Sequence, residues 1–469
     1  MSPHPPIVEV LGRPLGELPD PLGLVPAPAG VAATVDLPGS KSLTNRALLL
    51  AGLAEGESVV RRALLDADDA VVMIGALRTL GVGVKEAGDG ALVISGCAGR
   101  FRGGGSINLK NAGTATRFLA AAACLADGPV EIDGNARMRE RPIGELVEML
   151  RRLGVRVDEL GAPGRVPLRV HPRRPAGGTL RVPTTLSSQF VSALMMVAPW
   201  MAQGLSVEFG GPVTSPAYIE MTSGLMREAC GVGVTGSVET GRIVVPPGGV
   251  RGFAYTVEPD ASGATYFAGG AMLIPGARVV LPGLRRRTLQ ADAGFLEVLE
   301  RCGGRVARDG GGSIMAYGGP VRAVEADLGL MPDTAMTLAA VACFAPGTTT
   351  IRGLRTLRVK ETDRIAAIAA ELGKVGVRVE VFGYTDASGA ADEGLRITPP
   401  AGGIDLSPDA GPVEFETYDD HRMAMSLALI GLRRPNVWIR DPGCVAKTYP
   451  GFWADLSRLY GGVSKGSGA

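Results

Sequence analysis

The sequence predicts a mixed α/β (α+β) protein assembled from six similar units of about 75 residues, and three observations support this. A segment of helical periodicity followed by glycine and a short V-x-V strand recurs along the 469 residues. Glycine is abundant at 68 residues, about 14% against a usual ~7%, yet 46% of the chain is hydrophobic. Such a composition fits tight turns and close backbone approaches in a globular core, not collagen or disorder. Polar residues gather in short islands where a strand gives way to a helix.

The repeat reads as follows. ALRTL-GVGV, VEMLRRL-GVRV, LMREAC-GVGV, LEVLERC-GGRV and AAELGKV-GVRV place glycines at 81, 154, 231, 303 and 376, spaced by 73, 77, 72 and 73. A weaker sixth copy, WADLSRLY-GGVS, has its glycine at 461. Ile143, Leu146, Val147 and Leu150 follow i, i+3, i+4, i+7, as do Phe295, Val298, Leu299 and Cys302, and Ile365, Ile368, Ala369 and Leu372. Each helix therefore buries one apolar stripe. Pro142 suits a first helical turn, and each following glycine suits a left-handed C-cap. Each unit is longer than a solenoid repeat, so a compact α/β motif is expected, compatible with two lobes of three.

Charge and composition exclude several classes. Forty-eight basic side chains face 47 acidic ones, so bulk attraction to nucleic acid is not expected. No apolar run approaches the ~20 residues of a membrane span, and the N-terminus lacks a signal-peptide pattern. Cys97, Cys124, Cys230, Cys302, Cys343 and Cys444 form no CxxC pair and no metal-like cluster with the three histidines. A reduced, cytoplasmic setting and no metal site are expected.

The islands are PGSKSLTNR (38–46), NAGTATR (111–117), RMRERP (137–142), SSQF (187–190), PDTAM (332–336), RVKETDR (358–364), YDDHR (418–422) and CVAKT (444–448). Helix N-termini present free N–H groups and a positive dipole end, so several around one cleft would bind anions. The islands carry Lys41, Arg46, Arg137, Lys360, Arg364, Arg422 and Lys447, three of the chain's seven lysines among them. Retained lysines in an arginine-rich chain suggest compact, tunable charges with a role in the site. Asp333, Glu361, Asp363, Asp419, Asp420 and His421 are acid–base candidates, although Asp333 equally suits an N-cap. Neither a Walker loop nor a GxGxxG turn follows a strand, and no Ser-His-Asp order emerges.

Taken in order, LPGSKSLTNRALLLAGLA, NAGTATR, RMRERPI, SSQFVSALMM, EPDASGATYF, RVKETDR, DDHRMAM and CVAKTYPGFW resemble the 5-enolpyruvylshikimate-3-phosphate synthase family from about Val31 to Trp453. The resemblance implies a two-lobed inside-out α/β barrel with three βαβαββ units per lobe. One lobe would comprise 1–38 plus 259–469, with residues 1–25 a loose extension, and the other 39–258. It implies transfer of the enolpyruvyl group of phosphoenolpyruvate to the 5-hydroxyl of shikimate 3-phosphate, releasing phosphate, on the path to chorismate and aromatic amino acids. No metal or organic cofactor is implied; the partners are the two small molecules, with no nucleic acid or membrane, and the chain is expected to be monomeric.

The same resemblance assigns Lys41, Ser42, Arg46, Ser187, Ser188, Gln189, Ser215, Tyr218, Asp333 and Lys360 to shikimate 3-phosphate. It assigns Lys41, Gly113, Arg137, Gln189, Arg364, Arg422 and Lys447 to phosphoenolpyruvate. Asp333 is implied as the base for the 5-hydroxyl and Glu361, with Lys41 as a rival, as the acid for the methylene carbon. His421 is implied to assist proton handling or to orient a carboxylate. Thr356, Thr116 and Phe118 depart from the common pattern, which carries Asn, Met and Pro there. Gly113 keeps the space that the inhibitor glyphosate needs, so competition with phosphoenolpyruvate is expected. The alternatives are a UDP-N-acetylglucosamine enolpyruvyl transferase, whose reactive cysteine is missing from 129–141, and a non-catalytic phosphometabolite-binding homologue.

Overall fold

A computed structural model describes residues 7–461 apart from 89, 184–186, 286, 310 and 311. Two compact units emerge: a first of Met1–Pro38 with Pro259–Ala469, and a second of Gly39–Glu258. Among the described residues each contains three sheets, and five of the six sheets have four strands.

The second unit shows the repeat most plainly. Gly105–Asn108, helix Gly113–Ala122, Val130–Asp133, helix Gly144–Arg152, Val157–Glu159 and Leu168–Val170 run β-α-β-α-β-β. The first two strands pair in parallel, Ile107 opposite Ile132, and the last strand inserts antiparallel between its predecessors. Gly178–Val182 through Arg242–Val245 repeat this order. The remaining sheet of this unit borrows its first strand from the far end of the segment: Ala254–Thr256 lies parallel to Glu57–Arg61. In the first unit Ala32–Thr34 is likewise separated in sequence from its parallel partner Arg278–Leu281.

The helices form the inside of each unit and the sheets its outside. Every residue of Gly113–Ala122, Ala261–Leu273, Ala335–Ala342 and His421–Gly431 is buried, whereas strands such as Glu57–Arg61 alternate between buried and exposed. Helices buried all round need small residues where they touch. A Cβ on Gly269 would stand 3.2 Å from Thr337 and one on Gly270 3.0 Å from Leu432. Some of the glycine surplus therefore serves helix packing. The repeat glycines Gly81, Gly154, Gly231, Gly303, Gly376 and Gly461 all have positive φ, as expected of left-handed helix ends. Pro142 lies outside its helix, whose N-cap is Ile143.

Residues 7–25 are not a loose extension, contrary to expectation. Leu11, in the short helix Ile7–Leu11, is fully buried. Leu22–Leu24 pairs antiparallel with Val437–Ile439 and completes a sheet of only three strands. Among the described residues that sheet otherwise holds Val413–Phe415 and Val437–Ile439, so the N-terminal strand supplies pairing and apolar cover to the C-terminal copy. Residues 1–6 lie outside the described residues.

Candidate active site

In the first unit the chemistry collects around Arg364, the first residue of helix Arg364–Gly373, which is 1% exposed. Its Nε and Nη2 reach the two oxygens of Asp420 at 2.7 and 3.1 Å, Nη1 reaches Asp333 at 3.0 Å, and Nη2 also reaches Glu361 at 2.9 Å. Burial alone would lower its pKa, but Asp420, Glu361 and Asp333 together raise it above the ordinary arginine value.

Asp333 is the hub of the predicted residues. It lies in the short 3-10 turn Pro332–Thr334 and caps no helix, which removes the N-cap alternative. Its Oδ1 meets Lys360 Nζ at 3.2 Å as well as Arg364, and its Oδ2 meets Arg422 Nη2 at 3.0 Å. Burial draws the Lys360 ammonium below the usual lysine range, and the charge of Asp333 opposes that only in part. Arg422 rises well above its usual value: burial opposes the charged form, and Asp333 leads the groups that favour it. Its Nη1 also donates to the Tyr266 hydroxyl at 3.2 Å. Lys447, at the end of the 3-10 turn Pro442–Lys447, stands 3.9 Å from the other Glu361 oxygen. His421 is fully buried at the start of helix His421–Gly431, its Nδ1 3.8 Å from Asp420 Oδ1, beyond hydrogen-bond length.

The second unit holds the other predicted residues. Arg46, on helix Lys41–Leu53, is 1% exposed and turned onto protein acceptors: Thr222 Oγ1 at 2.7 Å, the Ser42 carbonyl at 2.9 Å and the Tyr218 carbonyl at 3.2 Å. Its guanidinium lies over the Phe118 ring, 5.2 Å from the centroid, and burial pulls its pKa down to about 10. Phe118 is thus absorbed within the unit, and Thr116 bonds back to the Ala112 carbonyl inside a regular helix. Lys41 Nζ sits 3.4 Å from the buried Asp69. Ser187 caps helix Ser188–Val197 through the Gln189 N–H, and Ser188 is 3% exposed. Ser215 precedes helix Ala217–Glu228 with φ 51°, a left-handed conformation uncommon for serine.

Gly113 opens its helix against two arginines. A Cβ there would lie 2.6 Å from Arg117 Nη1 and 2.7 Å from Arg141 Nη2. Arg141 donates to the Asn111 carbonyl and side chain at 3.2 and 3.1 Å, and Arg117 to the carbonyls of Gly113 and Pro142, both at 2.9 Å. Arg137, by contrast, pairs with the more exposed Glu140 at 2.7 Å. Gly39 is required by a close backbone approach: the Arg62 carbonyl oxygen lies 1.9 Å from where its Cβ would be. Thr356, in the 3-10 turn Arg355–Val359, keeps its hydroxyl oxygen buried and, among the described residues, without a hydrogen-bond partner.

Across residues 25–456 the chain matches the family described as EPSP synthase (3-phosphoshikimate 1-carboxyvinyltransferase). It belongs to the EPSP synthase family. A 3-phosphoshikimate 1-carboxyvinyltransferase of Thiobacillus denitrificans is 44% identical over 93% of this chain and 98% of that protein. One from Laribacter hongkongensis is 44% identical over 93% and 99%. Among solved structures, EPSP synthase from Acinetobacter baumannii superposes with TM-score 0.73 at 25% identity, covering 93% of this chain and 97% of that one. The enolpyruvyl transferase NikO of Streptomyces tendae, at 19% identity and TM-score 0.70, shares the fold. The UDP-N-acetylglucosamine alternative is not favoured by these matches.

Sequence reasoning passed over several residues that this family member packs beside the predicted ones. Arg117 and Arg141 lie in islands already singled out, and both are buried. Asp292 bonds Ser262, and burial together with the charge of Asp333 pushes its pKa up to about 6. Gln290 accepts from the Ala261 N–H at 3.0 Å and donates to the Pro259 carbonyl at 2.8 Å. Gln290 and Asp292, polar residues just before a periodic helix, were the available signal.

Proposed function

We propose that the chain transfers the 1-carboxyvinyl group of phosphoenolpyruvate to the 5-hydroxyl of shikimate 3-phosphate and releases phosphate. The observation that carries this is Asp333, an almost buried carboxylate gripped by Lys360, Arg364 and Arg422. Glu361 beside Lys447 and Arg364 is the second carboxyl that an addition–elimination needs.

In this assignment Glu361 gives a proton to the methylene carbon, leaving positive charge on the carbon that bears the phosphate oxygen. The 5-hydroxyl oxygen attacks that carbon and its proton passes to Asp333, giving a tetrahedral intermediate. A methyl proton then returns to the Glu361 carboxylate while the C–O bond to phosphate breaks, and the leaving phosphate takes up the proton held by Asp333, which restores the vinyl group and both carboxyl groups. Arg364, Arg422 and Lys447, with Lys41, Gly113, Arg137 and Gln189, are assigned to phosphoenolpyruvate. Ser42, Ser187, Ser188, Ser215, Tyr218 and Lys360 are assigned to shikimate 3-phosphate, and Arg46 supports that set by fixing Ser42 and Tyr218. The two substrates carry roughly five to six negative charges between two phosphates and two carboxylates. Holding both in place supplies the proximity gain.

The test is phosphate release from phosphoenolpyruvate that depends on added shikimate 3-phosphate. Absence of release, or equal release with UDP-N-acetylglucosamine, refutes the assignment. Asp333→Ala and Glu361→Gln are expected to lower kcat by at least about a hundredfold while KM changes little. A large KM increase at near-normal kcat would make both binding residues. Among the described residues no helix is long and apolar enough to cross a membrane, and all six cysteines are unbridged, which supports a cytoplasmic location. A monomer is proposed as well, testable as a mass of 48.3 kDa in light scattering.

A further inference from the structure

One fully buried carboxylate outside the assigned residues is devoted to the loop that delivers the site. Glu371 is 0% exposed and lies on helix Arg364–Gly373, seven residues after Arg364 and so two turns along the same face. Its Oε1 accepts from the Tyr418 hydroxyl at 2.7 Å, and its Oε2 accepts from the Glu416 backbone N–H at 2.9 Å. Lys374 Nζ pairs with the same Oε2 at 2.7 Å and donates to the Glu414 carbonyl at 3.0 Å. The gripped segment runs directly into Asp420, His421 and Arg422.

That segment is held in an unfavourable backbone conformation. Tyr418 and Asp419 have φ of 57° and 53° in succession. A bulky aromatic in the left-handed region is rare and persists only where its surroundings over-determine it. The turn closes with the Asp420 N–H on the Thr417 carbonyl at 2.9 Å, and Asp420 then caps the next helix by accepting from the Arg422 N–H at 2.9 Å. One helix thereby fastens the segment at two points: Arg364 holds Asp420, and Glu371 holds Glu416 and Tyr418. Burial and the neighbouring Glu371 raise the pKa of the Tyr418 phenol, so it remains a donor at neutral pH.

We propose that Glu371 is a positioning residue for carboxyvinyl transfer: with Tyr418 it locks the left-handed pair Tyr418–Asp419 and so fixes where Arg422 points. The proposal rests on the assignment of Arg422 to phosphoenolpyruvate. Arg422 now meets Asp333 at 3.0 Å, and rotation at residues 418–419 would swing both Asp420 and Arg422 relative to Asp333 and Arg364. A glutamine at 371 would keep one acceptor but turn an amide N–H₂ toward either the Glu416 N–H or the tyrosine hydroxyl.

The experiment uses the full chain as wild type, Glu371→Gln, Tyr418→Phe and the double variant, with both KM values, kcat and hydrogen exchange of residues 416–422. In Glu371→Gln the KM for phosphoenolpyruvate is expected to rise on the order of tenfold, with that for shikimate 3-phosphate within about twofold. Tyr418→Phe should give a smaller rise, and the double variant should match Glu371→Gln because both remove the same bond. Exchange of residues 416–422 should quicken in every variant. Should Glu371→Gln fail to fold, Tyr418→Phe must show the selective KM increase and faster exchange by itself. Unchanged exchange in folded variants, or equal increases in both KM values, overturns the proposal. A wild type without shikimate 3-phosphate-dependent release would instead overturn the functional assignment, leaving exchange to judge the positioning.

Discussion

Replacing Asp420 by alanine should cost about 4 kcal/mol of stability, mostly through the charge it leaves behind. The side chain is 0% exposed and holds Arg364 by two bonds of 2.7 and 3.1 Å. Truncating one member of a buried ion pair typically costs ~3–5 kcal/mol. Arg364 keeps Asp333 and Glu361, at 3.0 and 2.9 Å, so the lower end, ~3 kcal/mol, applies here. The lost cap on helix His421–Gly431 adds ~1 kcal/mol. Asp420→Asn can keep the cap acceptor and one bond to Arg364, so its cost should be smaller, ~2–3 kcal/mol. Urea unfolding followed by tryptophan fluorescence and circular dichroism tests both, with midpoints compared at constant m. Trp438 and Trp453 report the first unit and Trp200 the second, so the shift should appear in the first unit's transition. An Asp420→Ala protein within about 1 kcal/mol of wild type, or equal to Asp420→Asn, would refute the compensation described for Arg364.

Asp292 provides a pH test. Its folded-state pKa of about 6 lies above the ordinary 3.8, so the folded protein retains a proton that the unfolded chain has already lost. The resulting stability is fully present below pH ~4, is lost as pH rises through ~6 and is constant above, a change of roughly 3 kcal/mol. Asp292→Asn should therefore be more stable than wild type at pH 8 and alike at pH 3.5; an identical difference at both pH values contradicts this. Gly113→Ala forces a methyl within 2.7 Å of Arg141 and Arg117, so the KM for phosphoenolpyruvate should rise and competitive inhibition by millimolar glyphosate should weaken. Unchanged steady-state constants would place Gly113 outside the binding site. Deleting residues 1–25 uncovers the pockets of Leu11, Leu22 and Leu24, worth roughly 5–9 kcal/mol at ~1.5–3 each, comparable to a whole domain's stability. The truncated chain should be recovered insoluble or molten, and a cooperative wild-type melting curve would disprove the role given to the N-terminal strand.

Much of the fold was legible because its determinants are local. Left-handed glycines ending amphipathic helices at near-constant intervals are short-range stereochemistry, and all six took the conformation expected. The island positions were legible for the same reason: Ser187, Asp363 and Asp420 cap the helices that follow them. The strand Leu22–Leu24 was not, since three residues show no periodicity and its partner Val437–Ile439 lies more than 400 residues away. The sequence singled out Arg137 and passed over Arg141, four residues further along the same island. Only packing turns Arg141 toward Asn111 and Gly113 while Arg137 pairs with Glu140.

The charge balance divides the same way. By itself the sequence determined that cations and carboxylates would collect at helix starts, because side-chain capping and the repeated strand-to-helix switch depend on neighbours along the chain. It did not say which cation would meet which carboxylate. The tertiary structure decided that: Asp333, Glu361 and Asp420 stand among Lys360, Arg364, Arg422 and Lys447 and offset most of their charge in place. Coulomb energy and desolvation depend on separation and burial in space. Asp333 and Asp420 meet Arg364, Asp333 meets Arg422 and Lys447 meets Glu361, all at 3.9 Å or less and all between elements remote in sequence, so these pairings exist only in the folded chain.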